Sequence, residues 1–183
     1  MDLDAICQRL RVACPVRRDA VTPQPGVAAV LVILYPHNGV PHVLMMKRSK
    51  ALRSHPGEIG FPGGLFEDGD GDLLTTALRE TEEELDLAIF SEDVIARLPP
   101  VETLSGIEVT PFVSLQTTLA DCTPNPEEVE EVLQPPLIAL WNSYRPEAVV
   151  EPPSDFAYWY GPHRIWGATA RILRHLSEVA TAK

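Results

Sequence analysis

The sequence predicts an α/β fold in which mixed strands form one sheet between layers of helix. Three features carry that expectation. Residues 27–35 and 42–47 are two apolar, strand-like runs joined by a turn at His37-Asn38-Gly39. In mid-chain, Leu74, Leu78, Thr81 and Leu85 step by 4, 3 and 4, which at about 100° per residue makes one apolar stripe of a helix. A second amphipathic helix follows near the C-terminus, over roughly 166–180.

Taken in order, residues 3–13 read as a short amphipathic helix, and Pro15 with the stretch Pro23–Gly26 reads as a linker. The boundaries expected are therefore 1–26 for an N-terminal helix and linker and 27–183 for the main domain. The run from Val27 to Tyr35 is too short to cross a bilayer and reads as a buried strand. After the second strand come a glycine-rich loop and the mid-chain helix, for which Asp70 and Asp72 supply caps or first-turn anions. Short strands are expected near 93–98, 101–104 and 107–116, broken by Pro99-Pro100 and Ser105-Gly106. Residues 118–126 read as loop, 128–133 as strand and 137–142 as a short helix. Residues 143–155 read as a polar loop, and Phe156–Tyr160 as a strand turning at Gly161-Pro162. In the last helix, Trp166, Ala170, Leu173 and Val179 are placed to face the core.

A chain of 183 residues and 20.2 kDa, 45% hydrophobic and 22% charged, has the size and balance for one sizeable core. Its formal net charge of −11 argues against non-specific binding of nucleic acid. Cys7, Cys14 and Cys122 are few, odd in number and not in metal spacing, which suits reduced thiols. The N-terminus lacks a basic region followed by an apolar stretch, and the chain ends Ala-Thr-Ala-Lys, without a Ser-Lys-Leu address. The expectation is a cytoplasmic protein with no membrane partner, monomeric or homodimeric.

Chemistry concentrates in two places. Glu80, Glu83 and Glu84 recur at i, i+3 and i+4, on one face of the mid-chain helix and about 140° from its apolar stripe. Like charges so spaced repel. A solvated acidic face is the plain reading of such a cluster, but hard divalent cations take carboxylate oxygens and give a reason to gather them. Arg79, about 100° from Glu80 on the helix, is expected to pair with a neighbouring carboxylate and fix the cluster. Second, of the 15 Lys and Arg, Lys47, Arg48, Lys50 and Arg53 fall within seven residues. Guanidinium forks there suit phosphate oxygens, and Gly57, Gly60, Gly63 and Gly64 follow, allowing close backbone approach. A bound cation and this basic run would reverse the sign of an otherwise acidic protein inside the site.

These residues resemble the Nudix hydrolases, whose box is a glycine, five residues, Glu, seven residues, then Arg-Glu-U-x-Glu-Glu-x-Gly-U, U being bulky and apolar. Gly64, Arg79, Glu80, Glu83, Glu84 and Leu87 match it. The upstream acid falls on Asp70 with eight residues before Arg79, Thr81 stands for an aliphatic and Asp86 for the late glycine; Asp68, Asp70 and Asp72 all remain candidates for that acid. A longer pattern, Arg48-Ser49, Arg53, Gly57 and Phe61-Pro62-Gly63-Gly64, resembles the coenzyme A pyrophosphatase subgroup, as do Glu128-Val129, Pro136-Leu137 and Ile165-Trp166-Gly167.

The resemblance implies an α/β/α sandwich and Mg²⁺ or Mn²⁺ as cofactor. It implies hydrolysis of coenzyme A or a derivative to adenosine 3′,5′-bisphosphate and 4′-phosphopantetheine or its acyl form. The expected metal ligands are Glu80 and Glu84, with Glu83 as ligand or base. Arg79 is expected to organise the catalytic cluster. Lys47, Arg48, Lys50, Arg53, Gly63 and Gly64 are expected to bind substrate. Glu147, Glu151 and Asp155 rival Glu83 as base, and His55 lies within the subgroup pattern. The alternatives are a Nudix enzyme for ADP-ribose or another nucleoside diphosphate derivative, and a Nudix-like binding domain without catalysis.

Overall fold

The computed structural model describes residues 2–18, 26–147 and 155–182. Helix α1 (Leu3–Ala13) starts where the Asp2 side chain accepts the Asp4 N–H, a good N-cap. Strands β1 (Val27–His37) and β2 (Val40–Arg48) form a hairpin, followed by β3 (Ile59–Gly60), β4 (Gly63–Leu65) and helix α2 (Leu73–Leu85). Next come β5 (Val94–Arg97), β6 (Val101–Glu102), β7 (Glu108–Leu115), β8 (Val129–Leu133) and α3 (Leu137–Asn142). The chain closes with β9 (Arg145–Pro146), β10 (Phe156–Tyr160), β11 (His163–Ile165) and α4 (Gly167–Thr181). The helices and longer strands lie close to their expected bounds. The short strands β3, β4, β9 and β11 are additions. Most of the expected linker at residues 23–26 lies outside the described residues.

Among the described residues, eight strands join one sheet in the order β3-β2-β1-β7-β5, with β4 on β1, β6 on β7 and β8 on β2. The sheet is mixed, because β1 runs parallel to β7 from Val27–Glu108 to Leu34–Leu115 while its neighbours pair antiparallel. Strand alternation sorts the core into two halves. Ala28, Val32 and Leu34 of β1 and Val43 and Met45 of β2 face one cluster, with α1, α3 and α4. Ala29, Leu31, Ile33 and Tyr35 of β1 and Leu44 and Met46 of β2 face the other, with α2. Both faces are covered, so β1 reads as an unbroken apolar run. Helix α1 belongs to this core: Ile6, Cys7 and Leu10 are at most 1% exposed, and Arg9 Nη1 donates to the Ala180 carbonyl at 2.8 Å.

One local feature positions the site. The hairpin partners β1 and β2 pair only from Ile33–Leu44 outward to the turn. Toward their other ends they separate, and residues 59–65 enter the gap. There β3 pairs with Met46 and Lys47 of β2, β4 pairs with Ala28, Ala29 and Val30 of β1, and the Leu31 N–H donates to the Pro62 carbonyl at 2.9 Å. The other edge of β2 carries β8. Thus the glycine-rich loop is held inside the sheet, with α2 lying over β1 and β4. The expected polar loop 143–155 is narrowed at its stem, where β9 pairs with β10 and the Glu147 N–H donates to the Asp155 carbonyl at 2.9 Å. Residues 148–154, including Glu151, lie outside the described residues. Among the described residues no helix is long and apolar enough to cross a membrane.

Candidate active site

Helix α2 is framed at both ends by aspartates. The Asp72 carboxylate accepts the Thr75 N–H at 2.8 Å as N-cap and pairs with Arg18 at 3.0 Å. Asp86 closes the helix in the left-handed conformation, at φ 51°. On the inner side Leu73, Leu74, Thr76, Ala77, Thr81 and Leu85 are buried. Thr81, in an aliphatic position of the family pattern, satisfies its buried hydroxyl by donating to the Ala77 carbonyl at 2.7 Å.

The three glutamates do not share one environment, as a single solvent-facing acidic stripe would require. The Glu84 side chain is 1% exposed, Glu80 15% and Glu83 55%. Glu84 reaches under the sheet gap, where its Oε2 accepts the Gly63 N–H at 2.9 Å and its Oε1 faces Arg48 Nη1 at 3.3 Å. Burial pushes the Glu84 carboxyl up to about 8. The Gly63 N–H and Arg48 oppose that rise, while Glu80 and Glu128 reinforce it. Glu80 is raised by burial in the same way, against the pull of Arg79 and with the help of Glu83 and Glu128. Gly63 is sterically required, and Gly64 leaves the room that the Glu80 carboxylate occupies. A Cβ on Gly63, at φ 149°, would overlap the Ala29 carbonyl and Val30, and one on Gly64 would overlap the Glu80 carboxylate.

Arg79 ties the cluster together. Its Nε and Nη2 grip the Asp70 carboxylate at 2.8 and 3.1 Å, and its Nη1 reaches Glu80 at 3.0 Å and Glu83 at 2.9 Å. Nη2 also donates to the Leu65 carbonyl at 3.3 Å, fixing the strand that carries the glycines. Asp70 is buried, which raises its carboxyl, but the bonds from Arg79, the Glu67 N–H and Thr76 outweigh burial and leave it below the usual range. Of the three upstream aspartates, Asp70 is joined to Arg79, Asp72 caps the helix and Asp68 is exposed.

The basic run divides. Arg48 turns toward α2, whereas Lys47 Nζ pairs with Glu130 at 2.7 Å and Lys50 Nζ lies 3.9 Å from the same carboxylate. Arg53 is exposed on the loop beyond β2. His55, at φ 55°, faces Glu58 across 3.1 Å. Glu147 is held by Arg164 through contacts of 2.5 to 3.2 Å, so its carboxylate is committed to an ion pair.

Glu128 is a carboxylate that motif reading did not assign to the site. The loop before β8 docks on the end of α2, where the Thr123 and Asn125 N–H groups donate to the Leu85 and Glu84 carbonyls, both at 2.8 Å. Asn125 Nδ2 then donates to Glu128 at 3.3 Å, and Glu128 lies near enough to raise both Glu80 and Glu84. Its sequence signals were its place at the start of an expected strand and the pair Glu128-Val129 in the subgroup resemblance, neither of which gave it a role in the site.

The donor set fits a hard divalent cation: it is all carboxylate oxygen, partly buried and charged beyond what the neighbouring cations balance. As the side chains lie, no three His, Cys, Asp or Glu groups among the described residues converge closely enough to chelate an ion. Arg79, Arg48 and the Gly63 N–H take up the glutamate oxygens.

A family model for the NUDIX domain matches residues 25–160. A protein named uncharacterized Nudix hydrolase NudL from Pectobacterium atrosepticum is 36% identical over 82% of this chain and 80% of its own length. The protein of the same name from Cronobacter sakazakii is 31% identical over 97% of this chain and 94% of its own. Among solved structures, the Nudix domain of Shewanella oneidensis NrtR, crystallised with ADP-ribose, matches with a TM-score of 0.52 at 20% identity, over 66% of this chain and 79% of that one. The last likeness bears on the fold alone.

Proposed function

This chain belongs to the Nudix hydrolase family, and we propose that, among pyrophosphate-containing substrates, it hydrolyses coenzyme A or its derivatives. Water adds across the pyrophosphate, the bridging P–O bond breaks, and the products are adenosine 3′,5′-bisphosphate and 4′-phosphopantetheine or its acyl form. The observation that carries this reading is the junction of the two motifs. The run Arg48 to Gly64, which resembles the coenzyme A subgroup, reaches Glu84 from both of its ends, through Arg48 at 3.3 Å and the Gly63 N–H at 2.9 Å.

In this reading Glu80 and Glu84 hold Mg²⁺ or Mn²⁺, with Glu83 as a further ligand or as the group that takes the proton of the attacking water. The cation, when bound, polarises phosphate oxygens and lowers the pKa of water. Arg79 holds Asp70, Glu80 and Glu83 in fixed relation. Gly63 and Gly64 let a phosphate approach the backbone, and Arg48 and Arg53 supply guanidinium donors for phosphate oxygens. The proposed catalytic unit is residues 27–183, with residues 1–26 as its N-terminal extension, acting in the cytoplasm as a monomer or homodimer.

One observation favours a second substrate. Lys47 and Lys50 both turn to Glu130, which leaves less positive charge for a ribose 3′-phosphate and suits ADP-ribose, which has none. A panel of coenzyme A, dephospho-coenzyme A, ADP-ribose, dinucleotides and nucleoside triphosphates, with Mg²⁺ or Mn²⁺, decides. The expected outcome is the highest kcat/KM on coenzyme A. A preference for ADP-ribose or dephospho-coenzyme A would overturn the coenzyme A reading.

A further inference from the structure

Arg48 is an under-used cation. Its backbone is fixed on both sides: its N–H donates to the Glu58 carbonyl at 2.9 Å, its carbonyl accepts the Gly57 N–H at 3.1 Å, and the next N–H, of Ser49, donates to the Glu128 carbonyl at 2.8 Å. A register shift in the β2–β8 pairing falls between Lys47 and Arg48, and such shifts re-aim a side chain. Yet among the described residues the guanidinium so placed makes one long contact, 3.3 Å, to a carboxylate that is 1% exposed, and its Nε is buried with no partner. A guanidinium carries five N–H donors, so this is a poor use of one as a structural ion pair. Arg79, on the helix that carries Glu84, spreads its donors over four residues at 2.8–3.3 Å.

We propose that Arg48 is a positioning residue that serves as the counter-ion of Glu84 in the metal-free site and is exchanged for the divalent cation when the metal binds, its guanidinium then turning to the substrate phosphates. The exchange follows from competition. Glu84 Oε2 accepts the Gly63 N–H at 2.9 Å, whereas Oε1 has only the longer contact to Arg48, so Oε1 is the oxygen freer to take a metal. Two cations cannot share that oxygen closely without repelling one another. The metal displaces the weaker contact, and the displaced fork regains its full set of donors. The inference rests on the metal site proposed above and adds that its affinity is set partly against Arg48.

The test is Mn²⁺ binding without substrate, by calorimetry or electron spin resonance, together with thermal melting in chelator and in saturating Mn²⁺. Arg48→Met, or Arg48→Gln should the first fold poorly, removes the competitor. Mn²⁺ affinity is expected to rise about tenfold, or about 1.4 kcal/mol, while Arg48→Lys stays within about twofold of wild type. In chelator at alkaline pH, where Glu84 is ionised, the neutral variants melt below wild type because Glu84 has lost its counter-ion; saturating Mn²⁺ closes the gap, and adding Glu84→Gln closes it without metal. Unchanged or weaker Mn²⁺ binding in the neutral variants, or a melting deficit that Mn²⁺ does not repair, would make Arg48 a structural residue and overturn the exchange. A wild-type protein that binds no Mn²⁺ would remove the metal reading itself, and the exchange with it.

Discussion

Glu84 is the residue at which stability and chemistry pull in opposite directions. Its carboxyl sits at about 8, raised from 4.5 by burial and by Glu80 and Glu128. An acid whose folded pKa lies above its unfolded value stabilises the fold while protonated and loses that contribution as pH rises through the folded pKa. For Glu84 the window runs from about pH 4.5 to about pH 8. In chelator, wild type is therefore expected to lose melting temperature from pH 5 to pH 8 relative to Glu84→Gln, which cannot ionise there. Melting curves for the two proteins that run parallel across that range would place Glu84 in a better-solvated or better-paired setting. The same substitution should lower turnover by at least about a hundredfold, roughly 3 kcal/mol of transition-state stabilisation. Near wild-type turnover at saturating Mn²⁺ would remove Glu84 from the metal set.

Helix α2 shows how far local sequence reaches. Its apolar stripe, its Asp72 cap and the pairing of Arg79 with carboxylates are all within-helix or near-helix relations, and each was readable from spacing. Short strands β3 and β4 were not, because two or three residues carry no periodicity and their partners on β2 and β1 lie 12 or more positions away in sequence. A similar separation hides the nearness of Glu128 to Glu80 and Glu84, although Glu128-Val129 belongs to the subgroup resemblance, and hides Glu130, which draws Lys47 and Lys50 away from the acidic helix. Asp86 is a local departure whose meaning is also local. A side chain at φ 51° is strained, less so for Asp than for most, and its charge sits at the negative end of the helix dipole. Asp86→Gly relieves both and is expected to stabilise by about 1 kcal/mol, against the entropy cost of a glycine in the unfolded chain. That corresponds to a rise in Tm of roughly 2–4 °C. An unchanged or lower Tm would mean that the Asp86 side chain contributes something the helix end needs.

At the scale of the whole molecule, the two faces of the sheet have separate duties. The acidic helix and Arg48 occupy the α2 side and the gap between β1 and β2, whereas α1, α3 and α4 close the opposite side on an apolar cluster that also takes Ile59 and Phe61 from the glycine loop. The net charge of −11 is thus no obstacle to the anionic substrate proposed, because the residues proposed to meet it are organised locally. This division makes a prediction about α1. Leu10 is 0% exposed in the cluster with α4, and removing its side chain leaves a cavity that the rigid sheet fills poorly. Leu10→Ala is expected to cost about 2–5 kcal/mol of stability and to lower Tm by more than about 4 °C. Assayed well below its Tm, the same variant should keep KM and kcat per folded molecule within about twofold of wild type, since α1 packs chiefly on α4 and β5. Equal losses of stability and of kcat in the folded protein would show instead that α1 and α4 hold the sheet gap open, and that the supporting face shapes the site through the strands between them.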